Sequence, residues 1–186
     1  MVAVIPNWHP LFVHFPIALL SMATLFFVML HVVNSAALKK QLIILAYWNL
    51  WLGTGFAILT AITGWLAFNS VLHDAPSHEA MTEHRNWALA TLLVFFVISS
   101  WSIKQFKSSK ESGIAFSAVM VLAFTLLVST AWHGGEVVFR YGLGVMSLPQ
   151  VEGDGHDHHH DQGAITHDVI PAEHHHDHNE HDHAHE

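Results

Sequence analysis

Nineteen histidines in 186 residues are the first feature with chemical content. Seven lie ahead of residue 151, at positions 9, 14, 31, 73, 78, 84 and 133. Neutral imidazole is the commonest metal ligand, and it is costly to place in hydrocarbon without a partner. Two of the seven stand in His9-Pro-Leu-Phe-Val-His-Phe-Pro16, at the mouth of a long apolar run. Proline is tolerated in the first turn of a helix, which suits Pro10. Pro16 lies deeper and leaves the carbonyl of Phe12 without its helical donor. That carbonyl is then open to water, to the His9 ring or to a ligand.

The elements that must position these residues are apolar. The chain is 52% hydrophobic and 12% charged, against about 25% charged in a typical soluble domain. Four runs, at about 10–33, 42–68, 87–106 and 114–134, reach the roughly 20 helical residues that span a bilayer. In lipid each backbone group has to be paired within its own helix. The expected fold is therefore all-α: an integral membrane four-helix bundle over residues 1–149. The first run has no cleavage signature after it and reads as a retained helix. Past Trp132, Gly-Gly punctuation predicts a short separate element, in which the i, i+4 spacing of Glu136 and Arg140 makes an ion pair.

Charge divides the molecule. Residues 151–186 hold ten Asp and Glu and no Lys or Arg, whereas residues 1–150 hold seven basic and five acidic residues, a net +2. No basic patch exists for nucleic acid. Lys39 and Lys40 fall in the first connection, and Lys104, Lys107 and Lys110 in the third. The second holds Arg85 beside Asp74, Glu79 and Glu83. The positive-inside rule then places connections one and three in the cytoplasm. Both termini and the second connection then face outward.

On that topology six of the seven histidines gather at one side, and only His31 lies near the other. Helical phase groups His14, Ala18, Ser21, Val28 and His31 on one face, and His84, Ala88, Thr91, Phe95 and Ser102 on another. Ser129 lies one turn below His133. Gly53, Ala57, Thr60 and Gly64 form a small-residue stripe suited to close helix contact. These phases predict polar stripes facing one interior, with His14 and His84 as its principal imidazoles. His9-Pro10 fits an ordinary helix start. Two imidazoles from different helices could clamp a haem iron, or hold copper, nickel or zinc. The chain has no cysteine, so any haem would be held without covalent attachment. Haem b is the expected cofactor.

The blocks HPLFVHFPIALL at 9–20, GWLAF at 64–68, HRNWALATLL at 84–93 and GGEVVFRYGLGV at 134–145 resemble a bacterial family of four-helix inner-membrane proteins, domain of unknown function 2231. The resemblance covers about residues 5–147. It singles out His9, His14, His84, Glu136 and Arg140 as the site residues. This chain departs from the family pattern with Phe139 in place of tyrosine and Tyr141 in place of histidine, and His133 is not a family position. Some relatives are joined to c-type cytochrome modules, so the resemblance implies a redox setting and a periplasmic c-type cytochrome or other redox subunit as partner.

Residues 150–186 are too polar and repetitive to build a core and read as a disordered tail. Twelve histidines interleave with its acids. His156, His158, His159, His160, His174, His175, His176, His178, His181, His183 and His185 are the expected ligands of a weak chelator for Ni, Cu, Zn or Co.

Three functions fit these features: a b-type haem electron-transfer subunit, a divalent-metal-handling membrane protein that uses the tail, and a non-catalytic scaffold. The first is favoured. Only a few polar groups, Ser21, Thr60, Thr91 and Ser99 among them, line the middle of the spans, and no carboxylate lies deep in any of them, which argues against proton-coupled transport. No nucleophile–base pairing or phosphate loop points to substrate chemistry.

Overall fold

The computed structural model describes residues 8–71, 73–107 and 113–143. The tail histidines lie outside these residues. Every regular element among the described residues is a helix. α1 (His9–Phe12) and α2 (His14–Val32) form one broken span, followed by α3 (Ala36–Ser70), α4 (Ala75–Lys107) and α5 (Ile114–Phe139). Among the described residues four helical stretches are long and apolar enough to cross a membrane.

The break between α1 and α2 has a local cause. Pro16 cannot donate to the Phe12 carbonyl, and kinks at proline follow from that missing bond. The ladder continues on both sides, with Val13 N–H donating to His9 O at 3.1 Å and Ile17 N–H to Val13 O at 3.4 Å. The orphaned carbonyl is reached by the Thr60 hydroxyl of α3 at 3.1 Å, a hydroxyl that also faces its own Phe56 carbonyl at 2.9 Å.

The helices alternate in direction. One end of the bundle carries His9, the α3–α4 connection and the close of α5. The other carries the α2–α3 connection and the start of α5, and is tied by His31 Nε2 to Ser117 Oγ at 2.8 Å. These are called the histidine end and the lysine end below. The core runs between them through Leu20, Ala23, Phe27, Leu50, Phe95, Ile98, Met120 and Leu127. Apolar burial does not draw helices together in lipid, so close packing and polar contacts must do it. Gly53 meets Leu19 and Leu20 so closely that a β-carbon there would fall 2.8 Å from Leu20. Thr54 and Ser99 hydroxyls meet at 2.7 Å, and the Trp51 indole donates to Ser102 at 2.7 Å.

Three sequence expectations shift. The His14–His31 stripe is not the buried face of α2. The buried face of α2 is Pro16, Leu20, Ala23, Thr24, Phe27 and Leu30, and His14, Ala18 and Val28 are exposed. Packing against the small residues of α3 set the phase, whereas polarity had suggested another. α4 starts at Ala75, well ahead of the apolar run at 87. Its first turns are polar but well capped: Ser77 N–H donates to Asp74 Oδ1 and Asp74 N–H to Ser77 Oγ, each at 3.0 Å. Finally, α5 does not stop at the glycine pair. It continues to Phe139 and ends where Gly142 adopts a φ of 62°, its N–H returning to Val138 O.

Candidate functional site

Two imidazoles meet inside the histidine end. His9 comes from α1 and His84 from α4, with ring centroids 6.3 Å apart and planes at 68°. Each ring is aimed by the main chain of a neighbouring helix. His9 Nδ1 lies 3.1 Å from Thr60 O, and His84 Nδ1 lies 3.2 Å from Thr130 O. A carbonyl accepts only, so Nδ1 carries the proton in both neutral rings. That tautomer puts the lone pair on Nε2, the form that ligates metal, and such Nδ1–carbonyl bonds are the usual way a metal-binding ring is oriented.

The separation of the rings is informative. Across 6.3 Å between centroids, the nearest two ring nitrogens can approach is about 4 Å, beyond a hydrogen bond of about 3.2 Å. Nitrogens at that closest approach would be separated by twice a metal–nitrogen bond of about 2.0 Å. The same molecule holds a contrasting pair. His73 Nε2 and His78 Nδ1 lie 2.8 Å apart, and those ring centroids are only 5.0 Å apart.

Glycine makes the seating possible. A β-carbon at Gly64 would lie 2.9 Å from His9 Cε1, and one at Gly134 would lie 2.9 Å from His84 Cε1. The two halves therefore share a plan. Each ring bonds the carbonyl of a threonine and lies on the glycine four residues later, within Thr60-Ala-Ile-Thr-Gly64 and Thr130-Ala-Trp-His-Gly134. Each threonine hydroxyl reaches back to the carbonyl four residues earlier, Phe56 and Leu126. Each also crosses to the helix that carries the histidine: Thr60 to Phe12 O, and Thr130 to the Thr91 hydroxyl at 2.8 Å. Parallel internal repeats of this sense recur in membrane proteins.

Both rings line a cavity of about 500 Å³, walled mainly by apolar and small residues including Ala57, Ala61, Ala88, Leu92, Leu127 and Val138. That size lies within the range of about 300–1,000 Å³ usual for small-molecule and cofactor sites.

The chain, from residue 6 to residue 147, matches the family model described as predicted membrane protein (DUF2231). The chain belongs to the DUF2231 family. No curated protein and no solved structure matches it. The matched region of this DUF2231 chain contains both rings, both threonines and both glycines, and it excludes the histidine-rich tail.

The other sequence-derived candidates occupy different surroundings. His14 is exposed and contributes to the cavity wall, but no ring contact or hydrogen bond among the described residues joins it to His84. It stands about 140° around the helix from His9, taking 100° per residue. Glu136 and Arg140 form the expected ion pair at 2.7 Å, and neither is among the residues that wall the cavity. Arg140, bonded to Glu136, is held above its ordinary pKa. His133 turns away from the pair, with Nδ1 on Ser129 O at 2.7 Å, Nε2 3.4 Å from Glu83, and its ring stacked on Trp87. Among the described residues no group of three or more His, Cys, Asp or Glu could hold a metal ion. Sequence reasoning had not singled out Thr130 and had read Gly134 only as helix punctuation, not as a seat for a histidine ring. The signal that could have found them is the twice-written Thr-Ala-x-x-Gly.

Proposed function

We propose that this protein binds a b-type haem between His9 and His84 and serves as an electron-transfer subunit of a bacterial inner membrane. The observation that carries the reading is the pair of carbonyl-oriented imidazoles from different helices, their ring centroids 6.3 Å apart on the wall of one cavity. Ligand number favours a haem over a bare ion. Structural zinc takes four protein ligands, whereas two imidazoles suffice where a planar macrocycle supplies the remaining donors. The apolar cavity suits the body of such a macrocycle. A haem held in this way would supply one-electron chemistry. The chain's own part is to hold two neutral rings at a set distance, exclude water with alanine and leucine walls, and present the site at the histidine end. The distribution of lysines supports a periplasmic position for that end, within reach of a c-type cytochrome or another redox subunit.

The test is the reduced-minus-oxidised absorbance spectrum of the full chain, purified in detergent after expression with ample haem. A Soret band and a b-type α band are expected, and both persist when residues 151–186 are deleted. A flat spectrum would overturn the reading and leave the rings as polar contacts in a scaffold subunit.

A second reading rests on a separate observation, the twelve histidines among ten acids in residues 151–186. That composition supports capture of divalent Ni, Cu, Zn or Co. It is compatible with the first reading, because the two use different residues.

A further inference from the structure

We infer that Arg85 is the cation that receives the carboxylate edge of the ligand between His9 and His84. The inference rests on the haem reading and extends it to the acidic substituents of the macrocycle. Arg85 follows His84 directly in α4 and lies on the wall of the same cavity. Its guanidinium carbon stands 5.0 Å from the centroid of Phe68, another wall residue. Its nitrogens reach the Asn86 amide oxygen at 3.2 and 3.4 Å.

Those partners hold the cation in place without neutralising it. Three acidic groups at the histidine end have local partners of their own. Arg140 is paired with Glu136, Glu83 with His133, and Asp74 with the Ser77 hydroxyl and N–H. Among the described residues Arg85 has no ion pair. A planar guanidinium presents a donor fork that matches a carboxylate, and such bonds are about twice as strong as neutral ones. The wall is otherwise mainly apolar, so the site as a whole fits an amphiphile: a flat apolar body with a metal centre for the imidazoles, and a carboxylate reaching the part of the wall where Arg85 stands. Haem propionates have that chemistry. Their methyl esters do not.

The experiment titrates the full chain, purified in detergent and freed of haem, with haemin and with haemin dimethyl ester, and follows the Soret band. The wild-type chain is expected to bind haemin at least ten-fold more tightly than the ester. Arg85→Gln should weaken haemin binding to the level of the ester and leave ester binding unchanged. Arg85→Lys, which keeps the charge and loses the fork, should fall between. The acid-over-ester preference of the wild type is a test even if Arg85→Gln fails to fold. Equal binding of haemin and ester by the wild type, or equal haemin binding by wild type and Arg85→Gln, overturns the assignment and leaves the haem reading standing. Absence of any Soret response in the wild type removes both.

Discussion

His9, His14 and His84 are the same residue type near the same end of the bundle, and they differ in what aims them. His9 and His84 each have Nδ1 on a threonine carbonyl and a glycine beneath the ring. His14 is exposed. A metal ligand needs its tautomer and direction set in advance. His9→Ala and His84→Ala are therefore expected to abolish the b-type spectrum, and His14→Ala to retain it. Loss of the spectrum in His14→Ala alone would mean that the axial pair has been misassigned. A second residue-scale prediction concerns folding. Asp74 caps α4 through the Ser77 hydroxyl and N–H, and these bonds hold its carboxyl below the ordinary 3.8. A lowered folded pKa means stability that is fully present above the unfolded value and lost as pH falls through the folded one. The thermal midpoint of Asp74→Ala in detergent should lie below wild type between pH 5 and pH 7. The difference should narrow once the pH drops below the ordinary carboxylate value and close as it falls through the lowered folded one. A gap that stays constant down to pH 2.5 would show that the carboxylate charge is not what stabilises the cap.

At the scale of elements, the site is a matter of how closely two helix pairs approach. An added methyl at Gly64 or Gly134 would meet the edge of a ring, which can move, and not backbone, which cannot. Gly64→Ala and Gly134→Ala should thus fold with little change in thermal midpoint. The displaced ring loses its carbonyl, so haem affinity should fall by about 10–100-fold, the usual cost of disturbing the groups that orient a ligand. Equal effects at the two glycines would support the shared plan of the halves; unchanged affinity in both would argue that ring seating is irrelevant. Thr60→Val strips the Phe12 carbonyl of its cross-helix donor. Polar contacts between membrane helices average about 0.6 kcal/mol, so a small drop in stability is expected, far below that of a core cavity. How much of this was legible in the sequence follows from the same geometry. The small-residue stripe of α3 and the inward face of α4 can be read from type and spacing, because Gly53, Gly64, Thr91 and Ser102 have few other reasons to recur in phase. The choice of His9 over His14 cannot. It depends on the rotation of α2, which is set by how Pro16, Leu20 and Phe27 meet α3, and on a kink whose size the position of Pro16 alone does not give. The early start of α4 was hidden because its first turns are held by a cap and not by an apolar period.

At the scale of the molecule, charge assigns ends and sides. Residues 151–186 are a polyvalent imidazole and carboxylate segment. Their deletion should lower the divalent metal bound per chain at pH 7.5, and the full chain's excess should vanish below about pH 6 as imidazoles protonate. Equal metal content in the two forms would exclude chelation by the tail. Orientation is the wider question, because a haem site at the histidine end can exchange electrons only with partners on that side. Lys39, Lys40, Lys104 and Lys107 lie at the lysine end, whereas at the other end Arg85 and Arg140 stand among Asp74, Glu79, Glu83 and Glu136. Basic residues are held on the cytoplasmic side, so the lysine end should be inside. The chain has no native cysteine, which allows single reporters without background. His78→Cys, in the exposed first turns of α4, should react with a membrane-impermeant maleimide on intact spheroplasts. Lys107→Cys should react only after the membrane is opened. The reverse pattern would invert the protein. It would place the His9–His84 pair on the cytoplasmic side, where a periplasmic cytochrome could not reach it and a cytoplasmic donor would have to take its place.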